Sequence, residues 1–273
     1  MSLKAPGGLD IGAMAYFADE GEQKNGRQTW RVGSRMFAKV HASSWVEANK
    51  DNFKPISSWW KHGMLGEVTA TYQEGAVELK TVGQAESKTV PVDGPVYDNE
   101  QAMHLMRRLP LEVGYKTTLQ IVSSLGGGRQ IPIAIEVKAK ETVQVPAGTW
   151  EAFKVELSLV SQTFWFSADE KRYPVKFQGG GVISELIAIE QRKPGEPVSF
   201  KDKDLGIQFT APSGWLIHRQ EPDMDPKVVS IYLLDPKAEA EGMFLKIHTL
   251  ESLPEDQRKS PRAWAEGNVN RMK

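Results

Sequence analysis

The feature that most limits the fold of this chain is the alternation of apolar and polar side chains with a period of two. In the segment "IPIAIEVKAK" every second residue from Ile131 to Val137 is apolar. Side chains two positions apart in a β-strand lie on the same face, so this pattern predicts a strand with one buried face. The same alternation recurs in "TWRVGSRMFAKV", "GEVTATY" and "FKVELSL". The sequence therefore predicts a mainly β fold.

Turn residues between the alternating segments predict hairpins. In "VPAGTWEAFKVEL", Pro146 fixes the φ angle of a turn and Gly148 permits a left-handed conformation. The glycines of "LGGGRQ" and the "QEG" of "TYQEGAVELKTV" lie between further strand segments. Such turns join neighbouring antiparallel strands and fix their register.

One segment has the pattern of a helix instead. Asp98 is a suitable N-cap with Gln101 three residues later, and Pro110 ends the apolar pattern near residue 109. The apolar stripe consists of Ala102, Met103, Leu105, Met106 and Leu109. A helix near 98–109 packed on an antiparallel sheet gives the fold class as mainly β with an α+β character.

A change in composition divides the chain into two domains. The segment "EQRKPGEPVSFKDKDLG" is rich in charge, proline and glycine, which is typical of a linker at about Pro194–Pro197. We therefore expect a β domain of residues 4–194 and a small α+β domain of residues 198–273. The second domain has predicted strands in "LGIQFTAPSGWLIHR", "VVSIYLLD" and "MFLKIHTL", followed by a helix that starts at Ser260.

Composition excludes some classes of protein. The chain has 34 basic and 35 acidic side chains, so binding to nucleic acid or another polyanion is disfavoured. It has no cysteine, which excludes a disulfide scaffold. No apolar stretch approaches the ~20 residues of a membrane-spanning helix. Met1–Leu3 resemble a short cloning-derived addition, so we expect a signal segment to precede the natural sequence and to be missing from this chain.

The sequence predicts no catalytic residue, metal site or cofactor. The histidines His41, His62, His104, His218 and His248 are isolated from one another. Metal sites usually pair such ligands at short spacings. No Gly-x-Ser-x-Gly nucleophile motif occurs. The glycine runs of "LGGGRQ" and "FQGGGVI" lie between strands and are interpreted as turns, because neither precedes a helix with a phosphate-binding lysine.

Aromatic residues carry the strongest functional signal. Trp59 and Trp60 are adjacent, so on a strand they point to opposite faces. Phe164, Trp165 and Phe166 are also consecutive, which predicts apolar surroundings on both faces of their strand. Coverage of both faces by the helix and a loop is the simpler explanation, and an exposed indole that stacks on a sugar or lines a groove is the alternative.

The first domain resembles a known family from about residue 16 to residue 189. The resemblance rests on "PVYDNEQAMHLMRRLPLEVG", "ETVQVPAGTWEAFKVEL" and "FWFSADEKRYPVKFQGGGVISEL", in this order. These segments are similar to the bacterial exported family known as domain of unknown function 3108, which has no established reaction. The resemblance implies a curved antiparallel sheet or open barrel around a helix, in an envelope protein similar in outline to lipoprotein carriers that hold acyl chains.

A second resemblance concerns the C-terminal segment. The stretch "FKDKDLGIQFTAPSGWLI" is similar to the first part of the PsbP-like fold, with Pro212, Gly214 and Trp215 at its turn. It implies that residues from about 199 to 273 form the first part of a PsbP-like domain.

Two functional hypotheses follow from these patterns. The first is a non-enzymatic envelope protein, periplasmic or extracellular, that holds a lipid or another hydrophobic small molecule in a groove of the β domain; a dry, filled core has the same residue pattern. The second is an assembly module that binds glycan or protein through exposed tryptophans. The candidate ligand-binding residues are Trp59, Trp60, Met103, Met106, Phe164, Trp165 and Phe166.

Overall fold

The structure is a computed structural model of the chain. It describes residues 1–23, 26–38, 40–124, 126–158, 161–191, 195–213, 215–220, 228–234, 242–248, 255–258, 260 and 262. The chain divides into two compact units, Met1–Gln191 and Arg192–Lys273. The linker predicted from composition lies just beyond the last residue of the first unit.

The first unit consists almost entirely of strands. Their bounds in chain order are β1 (Ser2–Lys4), β2 (Asp10–Glu20), β3 (Thr29–Ala38), β4 (Ala42–Asn49), β5 (Pro55–His62), β6 (Gly66–Gln73), β7 (Ala76–Thr81), β8 (Lys88–Pro91), β9 (Tyr97–Asp98), β10 (Lys116–Ser123), β11 (Arg129–Val145), β12 (Gly148–Leu157), β13 (Gln162–Ser167), β14 (Pro174–Gly179) and β15 (Val182–Glu185). The mainly β class predicted from alternation is therefore correct.

All of these strands belong to one sheet. Its order is β8-β7-β6-β5-β4-β3-β2-β1-β15-β14-β13-β12-β11-β10-β9. Neighbours pair antiparallel, except for the parallel pair of β9 and β10. Strands β1 to β8 form one run of consecutive neighbours and β10 to β15 form another. The two runs meet where β1 pairs with β15, so Met1–Leu3 are part of the fold and Leu3 is only 4% exposed.

The sheet curves around one short helical segment. A 3₁₀ turn (Asn99–Gln101) leads into helix α1 (Ala102–Met106). Leu105 packs with Val32 and Val46 of β3 and β4, whereas Met106 packs with residues of β10 to β14. Because one helix contacts strands from both runs, the sheet must bend around it. We call the face that carries this helix the concave face.

The helix is shorter than predicted. Asp98 is the N-cap and forms the predicted capping box with Gln101. However, the first turn is 3₁₀ and α1 ends at Met106, since the amides of Arg108 and Leu109 bond to carbonyls three residues earlier. Pro110 disfavours helical geometry at the preceding residue, which explains why the chain unwinds before 109.

The second unit contains strands β16 (Val198–Asp202), β17 (Ile207–Ala211), β18 (Leu216–Arg219), β19 (Val228–Leu234) and β20 (Gly242–His248) and helix α2 (Glu255–Arg258). The first predicted strand of this unit is in fact two strands, because a turn at Pro212 separates them. Gly214 and nearly all of the helix predicted from Ser260 lie outside the described residues. None of the helices in the described ranges is long and apolar enough to cross a bilayer.

Candidate functional site

Five of the predicted ligand-binding residues lie on the concave face. Met103 and Met106 project from the helical segment into the same core cluster as Phe164 and Phe166 of β13. The two phenyl rings stack with centroids 5.8 Å apart. The fifth residue, Trp60, is assigned to this face by strand register, because directly paired residues of antiparallel strands point to the same face. Trp60 pairs with Ser44, Ser44 pairs with Ser34, and Ser34 pairs with Tyr16, which packs against the same cluster.

The remaining two tryptophans lie on the opposite face of the sheet. Trp59 stacks on Trp45, with ring centroids 6.4 Å apart, and its Nε1 donates to Glu67 Oε1 at 2.9 Å. Trp165 donates from Nε1 to Glu141 Oε1 at 2.6 Å and belongs to a separate apolar cluster with Val143 and Val175. Adjacent aromatics therefore point to opposite faces, as alternation predicts, and the seven candidates do not form one site.

Both faces are covered at the tryptophan pair. Trp59 is 6% exposed and Trp60 is 5% exposed. Trp60 also stacks on His62, with ring centroids 5.5 Å apart. The predicted burial of both indoles is therefore correct, but the contacts of Trp59 are with Trp45 of β4 and Glu67 of β6 rather than with the predicted loop. These indoles do not form the exposed platform that glycan recognition would use.

Apolar side chains that the sequence did not single out form the accessible part of the concave face. Ile131 of β11, Leu157 of β12 and Phe177 of β14 pack against the helix-side core but remain half-buried. Phe177 approaches Phe164, with ring centroids 4.7 Å apart. Alternation assigned Ile131 and Leu157 to an inward face, but it does not distinguish a filled core from a groove, because that depends on how far the helix extends.

These half-buried residues lie toward one end of the sheet, at which the chain turns from β1 to β2, β5 to β6, β7 to β8 and β14 to β15. We call it the apolar end. Ile131 is near the start of β11, and Leu157 is at the end of β12, both at this end. On the facing strands, Met14 and Met36 pair two positions from Tyr16 and Ser34, and they are half-buried as well. The concave face thus keeps accessible apolar surface toward the apolar end.

Polar side chains hold the helical segment against the sheet. The Tyr72 hydroxyl donates to Asp98 Oδ2 at 2.5 Å, and Gln101 Nε2 donates to the Phe53 carbonyl at 2.9 Å. His104 Nε2 lies 3.3 Å from the Gly33 carbonyl oxygen, which can only accept, so the imidazole donates from Nε2.

Burial shifts the titration of this cluster. It raises the pKa of Asp98 and of Glu100, and the charge of Asp98 raises the pKa of Glu100 further. It also raises the pKa of Tyr16 and Tyr72. Burial lowers the pKa of His104 to about 4, so this imidazole is neutral at neutral pH. Each of these shifts comes mainly from desolvation, which is expected where polar groups anchor a helix inside a sheet.

A concavity of about 560 Å³ lies on strands β10 to β12. Its lining includes Thr118, Ala134 and Ser158, which follow the opposite alternation to Ile133, and also Ile135 and Leu157. Ion pairs border it, with Glu136 contacting Lys116 at 3.2 Å and Lys138 at 2.7 Å. It contains none of the aromatic candidates, and its paired charges do not suit an apolar ligand. Within the described ranges, no group of three or more histidine or acidic side chains has the arrangement of a metal site.

The family described as "Protein of unknown function (DUF3108)" matches residues 5–180. This match lies within the first unit, so the PsbP-like character of the second unit stays a prediction. No curated protein matches the chain. Among solved structures, a "Beta-barrel-like Protein of Domain of Unknown Function DUF1849 from Brucella abortus" is similar, with 11% identity and a TM-score of 0.41, over 67% of this chain and 90% of that one.

Proposed function

Because the chain belongs to the DUF3108 family of proteins of unknown function, we propose its function from the geometry of the first unit. It is a non-enzymatic binding domain. The accessible apolar side chains at the apolar end line a groove of the concave face, and this groove holds a lipid or another hydrophobic small molecule. The family resemblance further suggests that it works in the bacterial envelope, in the periplasm or outside the cell.

The observation that carries the proposal is the partial exposure of inward-facing apolar side chains. Phe166, Val155 and Met106, deeper on the concave face, are at most 1% exposed, whereas Ile131 and Leu157 keep accessible surface. Covering such surface stabilises a complex by roughly 25 cal/mol per Å². A groove of this kind binds an apolar chain through contact area alone, and flexible methionines such as Met14 and Met36 adapt to ligands of different shape.

The titratable groups of the concave face support a binding role over a catalytic one. Asp98 accepts from the Tyr72 hydroxyl and from the Glu100 amide, and His104 donates to the Gly33 carbonyl. These bonds occupy the polar atoms in fixing the helical segment. The helical segment then acts as the inner wall of the groove.

The proposal is tested by titrating the protein with a dansyl-labelled fatty acid and by mass spectrometry of an organic extract of the purified protein. The variants Ile131→Gln and Leu157→Gln change groove residues that are already half-buried, so folding should survive, as circular dichroism would verify. Each should weaken dansyl fatty acid binding by about tenfold, because an apolar contact is replaced by an amide that loses its water.

The matched control is Ile189→Gln, which makes the same chemical change at a side chain that is 42% exposed and lies after β15. It should bind like the unmodified protein. Absence of saturable dansyl fatty acid binding, or equal loss in the control and the groove variants, would contradict the proposal. An acyl lipid in the extract that the groove variants lack would support it.

A further inference from the structure

Large apolar side chains protrude from the turns at the apolar end. Met64 is 74% exposed and Leu65 is 68% exposed, both in the turn between β5 and β6. Val82, in the connection from β7 to β8, is 65% exposed, and Leu9, in the turn from β1 to β2, is 45% exposed. We call these four residues the apolar tips.

The apolar tips lie along one rim. Their turns belong to strands that follow one another from β8 to β1 in the sheet order. The turn between β3 and β4 lies between the turns of Leu9 and of Met64 and Leu65. A hydrogen bond of 3.1 Å from the Gly63 amide to the His41 carbonyl joins this turn to the turn between β5 and β6. Neighbouring turns at one end of a sheet are about 10 Å apart, because strands are about 4.8 Å apart, so the turn of Leu9 is about 20 Å from that of Met64 and Leu65. The tips therefore form an arc on one rim rather than isolated surface residues.

Charge is distributed unequally between the two ends of the sheet. At the apolar end, the described turn residues are 5–9, 40–41, 63–65, 82–87, 124, 126–128, 158, 161 and 180–181, and among these Glu86 is the one acidic residue and His41 the one histidine, with no lysine or arginine. The opposite end carries charge in four of its five hairpin turns, for example Lys50, Asp51 and Lys54 between β4 and β5, and Asp169 and Arg172 between β13 and β14, whereas Pro146 and Ala147 between β11 and β12 are uncharged. Among the turns that the structure describes, those of the apolar end would therefore remove fewer charges from water on entering an apolar phase than those of the opposite end.

We propose that the apolar end docks on the surface of a lipid bilayer, with the apolar tips inserted at the boundary between headgroups and acyl chains. A lipid surface suits these tips better than a protein partner does, because they project singly from separate turns and do not form one flat patch. The chain's balanced charge indicates that binding depends on apolar insertion and needs no anionic lipid. This goes beyond the proposed function, since docking on lipid requires no ligand inside the sheet.

Flotation with vesicles tests the inference. The protein is mixed with phosphatidylcholine vesicles, with and without phosphatidylglycerol, at low and high salt. The double variant Met64→Gln, Leu65→Gln removes the two most exposed tips. Its matched control is Val113→Gln, Ile187→Gln, whose apolar side chains are 59% and 38% exposed and lie outside the turns of the apolar end.

The unmodified protein and the control should float with both kinds of vesicle, with little effect of salt. The tip variant should bind at least about tenfold more weakly, since two apolar side chains no longer leave water. Failure of the unmodified protein to float, equal loss in the control, or dependence on phosphatidylglycerol that salt abolishes would overturn the inference. Self-association that the tip variant abolishes, without flotation, would overturn it in favour of a second copy as partner.

The two proposals fail separately. The tip variant should still bind the dansyl fatty acid, because Met64 and Leu65 are not part of the groove. Dansyl fatty acid binding without flotation would support the ligand groove and contradict membrane docking. Flotation without dansyl fatty acid binding would support membrane docking and contradict the ligand groove.

Discussion

Asp169 organises the turn between β13 and β14. Its Oδ1 accepts from the Ser167 hydroxyl at 2.9 Å and from the amides of Lys171 and Arg172 at 3.0 and 3.1 Å. The turn holds Arg172 at a φ of 50°, a left-handed conformation that costs energy for a side chain of this size. The carbonyls of Lys171 and Arg172 in turn accept from Arg107, directly after α1. One carboxylate thereby fixes the end of the helical segment.

Asp169→Ala should lower the free energy of unfolding by about 1–2 kcal/mol, because three hydrogen bonds to the carboxylate are lost and the strained turn is no longer held. Glu170→Ala, at the next position, should change it by less than about 0.5 kcal/mol. Urea denaturation of both variants measures the difference. Neither variant should change dansyl fatty acid binding. Equal stability of the two variants would show that the turn does not depend on Asp169.

His104 should make stability depend on pH. Burial, opposed by the hydrogen bond to Gly33, lowers its pKa from 6.5 to about 4, so the folded protein binds fewer protons than the unfolded chain between these values. The contribution of neutral His104 to the free energy of unfolding is therefore fully present above pH 6.5 and is lost as the pH falls towards 4. Its limit is about 3 kcal/mol. His104→Gln keeps an amide donor for the Gly33 carbonyl and should lose less stability on acidification.

The raised pKa values of Asp98 and Glu100 change the free energy of unfolding in the opposite direction. The contribution of these two carboxyl groups to stability falls as the pH rises from acid values. They are present in both proteins, so the difference between His104→Gln and the unmodified protein isolates the imidazole. His62→Gln makes the same substitution at a histidine outside the helical segment and serves as the matched comparison. Denaturant titrations across the acid range would contradict this account if His104→Gln and the unmodified protein lost stability in parallel.

At the scale of elements, a β-bulge in β11 connects two separate cores. Val137 pairs with Val155, but Ala139 pairs with Lys154, so Lys138 is an extra residue in the ladder. Before the bulge, Ile133 and Ile135 face the helical segment. After it, the odd-numbered Val143 and Val145 pack instead with Trp165 on the other face. The bulge lets one long strand supply both sides of the sheet.

Deletion of Lys138 should restore regular pairing and turn one half of β11 over. Val143 and Val145, or else Ile133 and Ile135, would then face away from their clusters, at a cost of more than about 3 kcal/mol. Lys138→Ala keeps the bulge and should unfold at nearly the same temperature as the unmodified protein, because its ion pairs are exposed. Thermal unfolding followed by tryptophan fluorescence distinguishes the two. A deletion variant as stable as the alanine variant would contradict the role of the bulge.

Strand β11 also shows which structural features the sequence patterns predict and which they do not. Alternation and turn residues predict β11, β12 and the hairpin between them, where Gly148 has a φ of 120°. They do not reveal the bulge, because Val143 and Val145 resume the odd-numbered pattern of Ile133 after one interruption at Glu141. The helix was overestimated for a related reason: Leu109 continues the apolar stripe, but Pro110 and the sheet decide where the helix ends.

For the whole molecule, the decisive contacts join residues far apart in the chain. Ser2 pairs with Glu185 in the middle of the sheet, and no local pattern indicates that pairing. The accessible apolar surface of the concave face is also a property of the whole unit, because the space between helix and sheet depends on the curvature. Alternation predicts that Trp60 and Phe164 face away from Trp59 and Trp165, but only the assembled sheet places Trp60 and Phe164 on the same concave face.

The two edges of the sheet approach each other without pairing. Lys88 Nζ donates to the Gly127 carbonyl at 3.0 Å, and the Gln130 side chain exchanges two hydrogen bonds with the backbone of Asp93. Val122 of β10 packs in one cluster with Val77 and Leu79 of β7. We call this contact between the edges the seam. A ligand can therefore reach the concave face through the apolar end or by separation of the seam.

A disulfide across the seam distinguishes these routes. A Cβ placed on Gly128 would lie 3.3 Å from Val90 Cβ, close to the separation of about 3.5–4.5 Å found in disulfides, although the φ of 82° at this glycine adds strain. The chain has no cysteine of its own, so Val90→Cys with Gly128→Cys can form a single defined bond. Thiol titration and mobility on a non-reducing gel would verify it, with Val90→Cys alone as control.

The oxidised double variant should unfold at a higher temperature than its reduced form, because the bond closes a long loop of the unfolded chain. It should bind the dansyl fatty acid as the reduced form does, since ligand enters at the apolar end and the seam stays closed throughout. Binding that oxidation abolishes and reduction restores would contradict this, and would place the route of entry at the seam. The comparison uses one protein in two redox states, so strain at Gly128 affects both equally and the difference reports on the closure alone.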